Sequence, residues 1–180
     1  MGEVISDYFQ SNDLNLHYIN YKTNAHKPLI MLHGMRSYAQ AWNDVADQLL
    51  NFFDVYALDQ RGRGESDWAP DSNYDTEAYV DDLTNFIKTK GFNKLSLMGH
   101  SMGGSNSIVF ASKNPEMVES LVIVDIGPSV STSIGGKRIN QELSDTPKEF
   151  ESLEGVKIFW RKQRPSISEH ALNERVNFTI

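Results

Sequence analysis

The sequence predicts an α/β fold: a mostly parallel sheet with helices on its faces. Three observations carry this expectation. Along residues 1–128, short strand-like stretches alternate with stretches of helical period, the pattern of right-handed βαβ crossovers. Leu29-Ile30-Met31-Leu32 is apolar throughout, as a strand buried on both faces must be. Gly99-His100-Ser101-Met102-Gly103 sets a serine between glycines where a strand gives way to a helix.

The elements follow in order. Val4 to Phe9 and Leu14 to Tyr21 read as two strands around a Ser-Asn-Asp turn, which predicts a hairpin. After the apolar strand, Trp42, Val45, Ala46, Leu49 and Leu50 fall at i, i+3, i+4, i+7 and i+8, one helical stripe. Phe53 to Leu58 is the next strand. Tyr79, Leu83, Phe86 and Ile87 form a second stripe, ended by Gly91. Leu95 to Met98 is a strand, and the helix after Ser101 stops before Pro115. Leu121 to Val124 is the last clear strand. Beyond Pro128 the chain turns polar and has no β-branched run. Thr146-Pro147-Lys148-Glu149 and Ser166-Ile167-Ser168-Glu169 both have capping-box spacing, the first with Pro at the first helical position. The expected organisation is therefore a sheet core over 1–128 and short helices of an insertion over 129–180.

Composition narrows the function. Seventeen basic residues against 24 acidic ones leave a net charge of −7, which argues against nucleic acid or an anionic membrane as the main partner. The absence of cysteine removes disulfides, thiolate nucleophiles and cysteine zinc sites. Met1-Gly2-Glu3-Val4 lacks the basic start and apolar run of a signal peptide. No apolar run approaches the roughly 18 residues of a membrane span, so a cytoplasmic protein with no membrane span is expected.

The glycine-framed serine carries the chemistry. It follows a strand and opens a helix, so the turn holds Ser101 in a strained conformation at the strand end. Side chains at Gly99 and Gly103 would clash there. The serine oxygen stands at a helix N-terminus, where amide donors and the dipole favour developing negative charge. Acyl transfer needs two amides aimed at the oxyanion. One is expected from Met102, the residue after the nucleophile. The other is expected from Met35, in the loop His33-Gly34-Met35 after the apolar strand, with Gly34 allowing close backbone approach. His33 reads as a residue that ties this loop together rather than as a base. Met35, Met102 and Trp42 are candidates to line an apolar acyl pocket, with a core position the alternative for Trp42.

Leu32-His33-Gly34, Asp59-Gln60-Arg61-Gly62-Arg63-Gly64-Glu65-Ser66 and Gly99-His100-Ser101-Met102-Gly103-Gly104 resemble the α/β-hydrolase family in order and spacing, across about residues 28–128. The stretch Val124-Asp125-Ile126-Gly127-Pro128 is similar to the family's small serine esterases and its acyl or thioester hydrolases. The resemblance implies an eight-stranded sheet, a Ser–acid–His triad in that chain order, no cofactor or metal, and a helical cap over the site, which would begin in 129–180. It also makes the Asp59–Gly64 loop structural. The competing idea of phosphate binding lacks a following Gly-Lys-Ser/Thr.

Asp125 is the candidate acid, because it ends the strand after the nucleophile helix, on the sheet edge that carries Ser101. The alternatives are a capping aspartate here and an acid on a later strand. The triad histidine of the family comes late. Of His17, His26, His33, His100 and His170 only His170 follows Asp125, and it sits in a predicted helix as an exposed residue would. The general base and the last strands are thus expected beyond residue 180, and the 180 residues alone are expected to be inactive.

The expected activity is hydrolysis of a carboxylic ester or thioester of a small-molecule acyl substrate, through an acyl-enzyme on Ser101. Carbon–carbon bond hydrolysis, lactonase or haloperoxidase chemistry are alternatives within the fold. A non-catalytic signalling protein or fragment is the alternative outside it. By resemblance, serine at the elbow disfavours haloalkane dehalogenases and epoxide hydrolases, which use aspartate there. The oligomeric state is not read from the sequence.

Overall fold

An antiparallel hairpin leads into a parallel sheet. The structure, a computed structural model, describes residues 3–23, 25–127, 141, 144–147 and 149–178. The chain divides into two units, Met1–Ile126 and Gly127–Ile180. In the first, β1 (Val4–Ser11), β2 (Leu14–Tyr21), β3 (Pro28–Leu32), β4 (Asp54–Leu58), β5 (Leu95–His100) and β6 (Val118–Val124) form one six-stranded sheet in the order β1-β2-β4-β3-β5-β6. β1 with β2 and β2 with β4 are antiparallel; β4, β3, β5 and β6 run parallel. The mostly parallel sheet with flanking helices is the one the sequence predicts. The resemblance implied eight strands; the described residues form six.

The alternation of side chains explains why β3 is apolar throughout. Ile30 and Leu32 join the cluster on one face, with Phe9, Leu16, Leu58, Leu97 and Phe86. Leu29 and Met31 join the cluster on the other, with Ile19, Val55, Ala57 and Trp42. A helix covers each face. α1 (Asn43–Leu49) follows a 3₁₀ turn over Ala39–Trp42. α2 (Thr76–Lys90) starts at Asp75, whose side chain accepts the Ala78 N–H at 2.8 Å, and ends at Gly91 in the left-handed conformation at φ 69°. Its buried face carries Tyr79, Leu83, Phe86 and Ile87, the predicted stripe. Phe86 meets Phe9, Tyr18 and Tyr56 edge-on, with centroids 5.0, 5.1 and 5.7 Å away.

Two local expectations are corrected and one open alternative is decided. Val45 stays 39% exposed while Trp42 and Ala46 are buried. It lies at the margin of its stripe, on a helix of seven residues. For Trp42 the core position, the alternative left open, is the one observed. β6 begins at Val118, earlier than its apolar run, because Ser120 pairs with Ser96 through a 2.7 Å hydroxyl contact. It is the last strand of the sheet, and Leu121, Val122 and Val124 are 38–41% exposed.

In the second unit, α4 (Leu153–Gln163) and α5 (Glu169–Phe178) interlock through Val156, Trp160, Leu172 and Val176. The four lie at i, i+4 on their own helices and so share one face of each. Pro128, residues 129–140 and Lys148 lie outside the described residues. Thr146, Pro147 and Glu149 are not helical, so the first capping box does not start a helix; Ser152 does, its hydroxyl accepting the Gly155 N–H at 3.1 Å. The second start falls two residues later than Ser166, at Ser168, which accepts the Ala171 N–H at 3.1 Å. The apolar faces of α4 and α5 decide both starts, because a helix must begin where its stripe can be buried. No helix among the described residues is long and apolar enough to cross a membrane.

Candidate active site

The serine turn joins β5 to α3 (Met102–Lys113). Ser101 has φ 49° and ψ −113°, a conformation that costs a non-glycine residue about 1–3 kcal/mol and persists only where neighbours enforce it. The enforcing contacts are visible. The Ser101 N–H donates to Val124 O at 2.9 Å, and Ser101 O accepts the Ser105 N–H at 3.0 Å as the first bond of the helix. A Cβ on Gly99 would run into Gly103 O, and one on Gly103 into Leu32 O. Both glycines are therefore required by close approach of backbone to backbone. Because the helical ladder starts at Ser105, the N–H groups of Met102, Gly103 and Gly104 have no acceptor within the helix.

The loop after β3 closes on this turn. A Cβ on Gly34 would lie 2.5 Å from His100 Nδ1 and 3.3 Å from Ser101 Cβ, so the Gly34 backbone is next to the serine turn. From there the chain reverses. The Ser37 N–H donates to Gly34 O at 3.2 Å and Arg36 takes φ 63°, the left-handed value of a turn's third residue. Met35, inside this turn, has a side chain 42% exposed; Met102 is half-buried.

His33 holds the loop. It is fully buried, and the Gln60 N–H donates to its Nε2 at 3.1 Å. Since a backbone amide only donates, Nε2 is the acceptor, and Nδ1–H donates to Gly34 O at 2.8 Å. Burial pushes its pKa below the usual imidazole value. The Gln60 side chain donates to His33 O at 2.6 Å, and Asn106 on α3 donates to Gln60 Oε1 at 2.7 Å. Two strand ends, those of β3 and β4, are thereby stitched to α3. Gln60 and Asn106 were not singled out from the sequence, although a buried asparagine on a helix of small and apolar residues is a usable signal.

The Asp59 loop is a second, separate network. Asp59 accepts the Ala39 N–H at 2.6 Å, His17 Nδ1–H at 2.7 Å and the Glu65 N–H at 3.1 Å. Arg61 makes a two-pronged contact with Asp82, at 2.6 and 2.8 Å. These bonds tie the loop to β2, to the 3₁₀ turn and to α2.

Asp125 ends β6 beside the serine turn. The register pairs His100 with Val124, so Ser101 and Asp125 leave the sheet side by side. Asp125 has φ 54°, its side chain is 85% exposed, and its Oδ2 lies 3.6 Å from His100 Nε2. The sequence analysis did not anticipate this contact; the position of His100 between two strand ends was the available clue. Ser101, Gly34, Met102 and Asp125 thus converge at the C-terminal ends of β3, β5 and β6, with Met35 one residue further along the loop. Among the described residues, no imidazole is hydrogen-bonded to Ser101 Oγ. His170 lies on α5 with its side chain 70% exposed, 3.8 Å from Glu174. No group of three or more His, Asp or Glu among the described residues could hold a metal ion.

Comparison with known proteins bears on the family and the fold. The 2-(acetamidomethylene)succinate hydrolase of Mesorhizobium japonicum is 29% identical over 177 residues, 97% of this chain and 63% of the relative. The N-formylmaleamate deformylase of Pseudomonas putida is 39% identical over 121 residues, 67% of this chain and 44% of the relative. The crystal structure of E-2-(acetamidomethylene)succinate hydrolase superposes with a TM-score of 0.83 at 27% identity, covering 98% of this chain and 64% of that one. The chain thus spans less than two thirds of the length of each. The profile of the family described as alpha/beta hydrolase fold matches residues 27–152, and with most of its length matched the chain belongs to that family.

Proposed function

We propose that the chain carries the nucleophile, the oxyanion donors and the acid of a serine hydrolase that cleaves a carboxylic ester or thioester of a small molecule. The strained φ of Ser101, at a strand-to-helix turn that touches Gly34, is the observation that carries the proposal. Ser101 Oγ attacks the carbonyl carbon and the oxyanion forms against the amides of Met35 and Met102. Asp125 orients a histidine that takes the serine proton and later activates water to release the acid. The scheme leaves the position of that histidine unassigned.

A second substrate class is favoured by the names of the two relatives. Each names a small carboxylic acid that bears an N-acyl group. The same nucleophile and oxyanion donors would serve cleavage of an acyl–nitrogen bond. Parallel assays with p-nitrophenyl acetate and N-formylmaleamate separate the two. Turnover of the ester alone supports the first class, and turnover of the N-formyl compound alone supports the second. Turnover of either that survives Ser101→Ala undiminished overturns both.

A further inference from the structure

Ser6 heads a second serine–histidine–aspartate chain, on the hairpin of β1 and β2. Its Oγ lies 2.8 Å from His17 Nε2, and His17 Nδ1 lies 2.7 Å from Asp59 Oδ2. Asp59 receives two backbone N–H groups as well, so its oxygens act as acceptors and Nδ1 must donate to it. In the neutral ring Nε2 is then the acceptor, and the Ser6 hydroxyl donates to it. The side chains of His17 and Asp59 are fully buried while Ser6 is exposed. Tyr8 covers the imidazole with its ring at 5.2 Å and 59°. Ser6 is the exposed member of the three.

The backbone adds a donor. The Lys22 N–H bonds to Glu3 O, and alternation along the ladder turns the Ser6 N–H away from β2. β1 is the first strand of the sheet, so this N–H faces an open edge. A hydroxyl bonded to an oriented imidazole, beside an outward amide, is an acyl-accepting arrangement.

We propose that Ser6 is a second acyl-accepting serine, with His17 as its base and Asp59 as the positioning residue, reactive toward small uncharged activated esters. Ser6 Oγ bonds to the carbonyl carbon as the bond from that carbon to the leaving oxygen breaks. The hydroxyl proton passes to His17 Nε2 and from there to the departing oxygen. The titratable groups around the imidazole are Asp59 from the end of β4, Asp7 and Tyr8 from β1, and Glu65, which accepts the Tyr8 hydroxyl at 3.1 Å. Their acidic character selects uncharged donors over anionic ones.

The test is independent of the Ser101 proposal because it is run on the Ser101→Ala protein. That protein is treated with p-nitrophenyl acetate, and peptide mass spectrometry follows acetylation at Ser6 and at Ser72 and Ser112, two exposed serines that serve as internal references. General-base assistance predicts acetylation of Ser6 about 100-fold faster than of either reference. The preference should vanish in denaturing urea. Equal rates at the three serines or a preference that survives in urea would each overturn the proposal.

Discussion

His17 and Asp59 meet at 2.7 Å with neither side chain exposed, whereas His100 and Asp125 stand 3.6 Å apart with 41% and 85% of their side chains in solvent. The first pair is bonded on every side: Ser6 closes the imidazole, and two backbone amides share the carboxylate. Such a pair is tied to the fold, since removing one partner strands the other without water. The second pair is screened by solvent and worth little to stability, a few tenths of a kcal/mol to about 1 kcal/mol for exposed pairs in general. Asp125 is thus held in place by the backbone rather than by its side chain, through the Ser101 N–H to Val124 O bond and a left-handed φ. The contrast teaches how one chemical pairing serves two ends. Buried and saturated, it holds loops; exposed and loosely met, it leaves a carboxylate able to take another partner beside Ser101.

Mutation can break this contrast. The largest effect is expected at Ser101. In protein that turns over p-nitrophenyl acetate, Ser101→Ala should lower the rate on the order of a millionfold without lowering the melting temperature. Retention of a tenth of the activity would remove the serine from the nucleophile role. Next comes Asp125→Asn, expected to cost about 10⁴-fold in rate with the urea midpoint unchanged. A near-normal rate would assign the acid to another carboxylate.

The buried pair should behave in the opposite sense. Asp59→Ala should destabilise the fold by about 3–5 kcal/mol, read by urea denaturation, because His17 and two loop amides lose their acceptor. A loss under ~1 kcal/mol would show that the network is dispensable. The smallest effect is a pH dependence. His33 is pushed below its ordinary pKa by burial, so the folded chain resists a proton that the unfolded chain accepts below about pH 6.5. Its contribution is fully present above that value and is lost as pH falls, by up to ~1.4 kcal/mol per pH unit. His33→Asn should flatten that part of the stability profile, and an unchanged slope would assign it to other groups.

Much of this was legible in the sequence because local chemistry forced it. Leu29 to Leu32 can only be satisfied between two apolar faces, and its residues alternate between the two core clusters. The stripe of Tyr79, Leu83, Phe86 and Ile87 has one buried solution, and Gly91 ends it where a left-handed residue is needed. The serine turn was legible for the same reason: Gly99 and Gly103 tolerate no side chain where backbones touch. The helix starts after residue 145 were not. Thr146, Ser152, Ser166 and Ser168 all have capping chemistry, and only the burial of Val156, Trp160, Leu172 and Val176 selects among them.

The sequence by itself determined the alternation of elements, the apolar strands and the glycines that let a serine sit at a strained turn, because period and steric size act within a few residues. The tertiary structure decided which polar residues are partners. His17 lies 42 positions from Asp59, His33 lies 27 from Gln60, and Asn106 lies 46 from Gln60, yet each pair is hydrogen-bonded. Hydrogen bonds are directional and reach about 3 Å, so no local pattern announces them. They form only where strand order brings β2, β3, β4 and α3 to one edge of the sheet, and that order is set by crossovers through the whole chain.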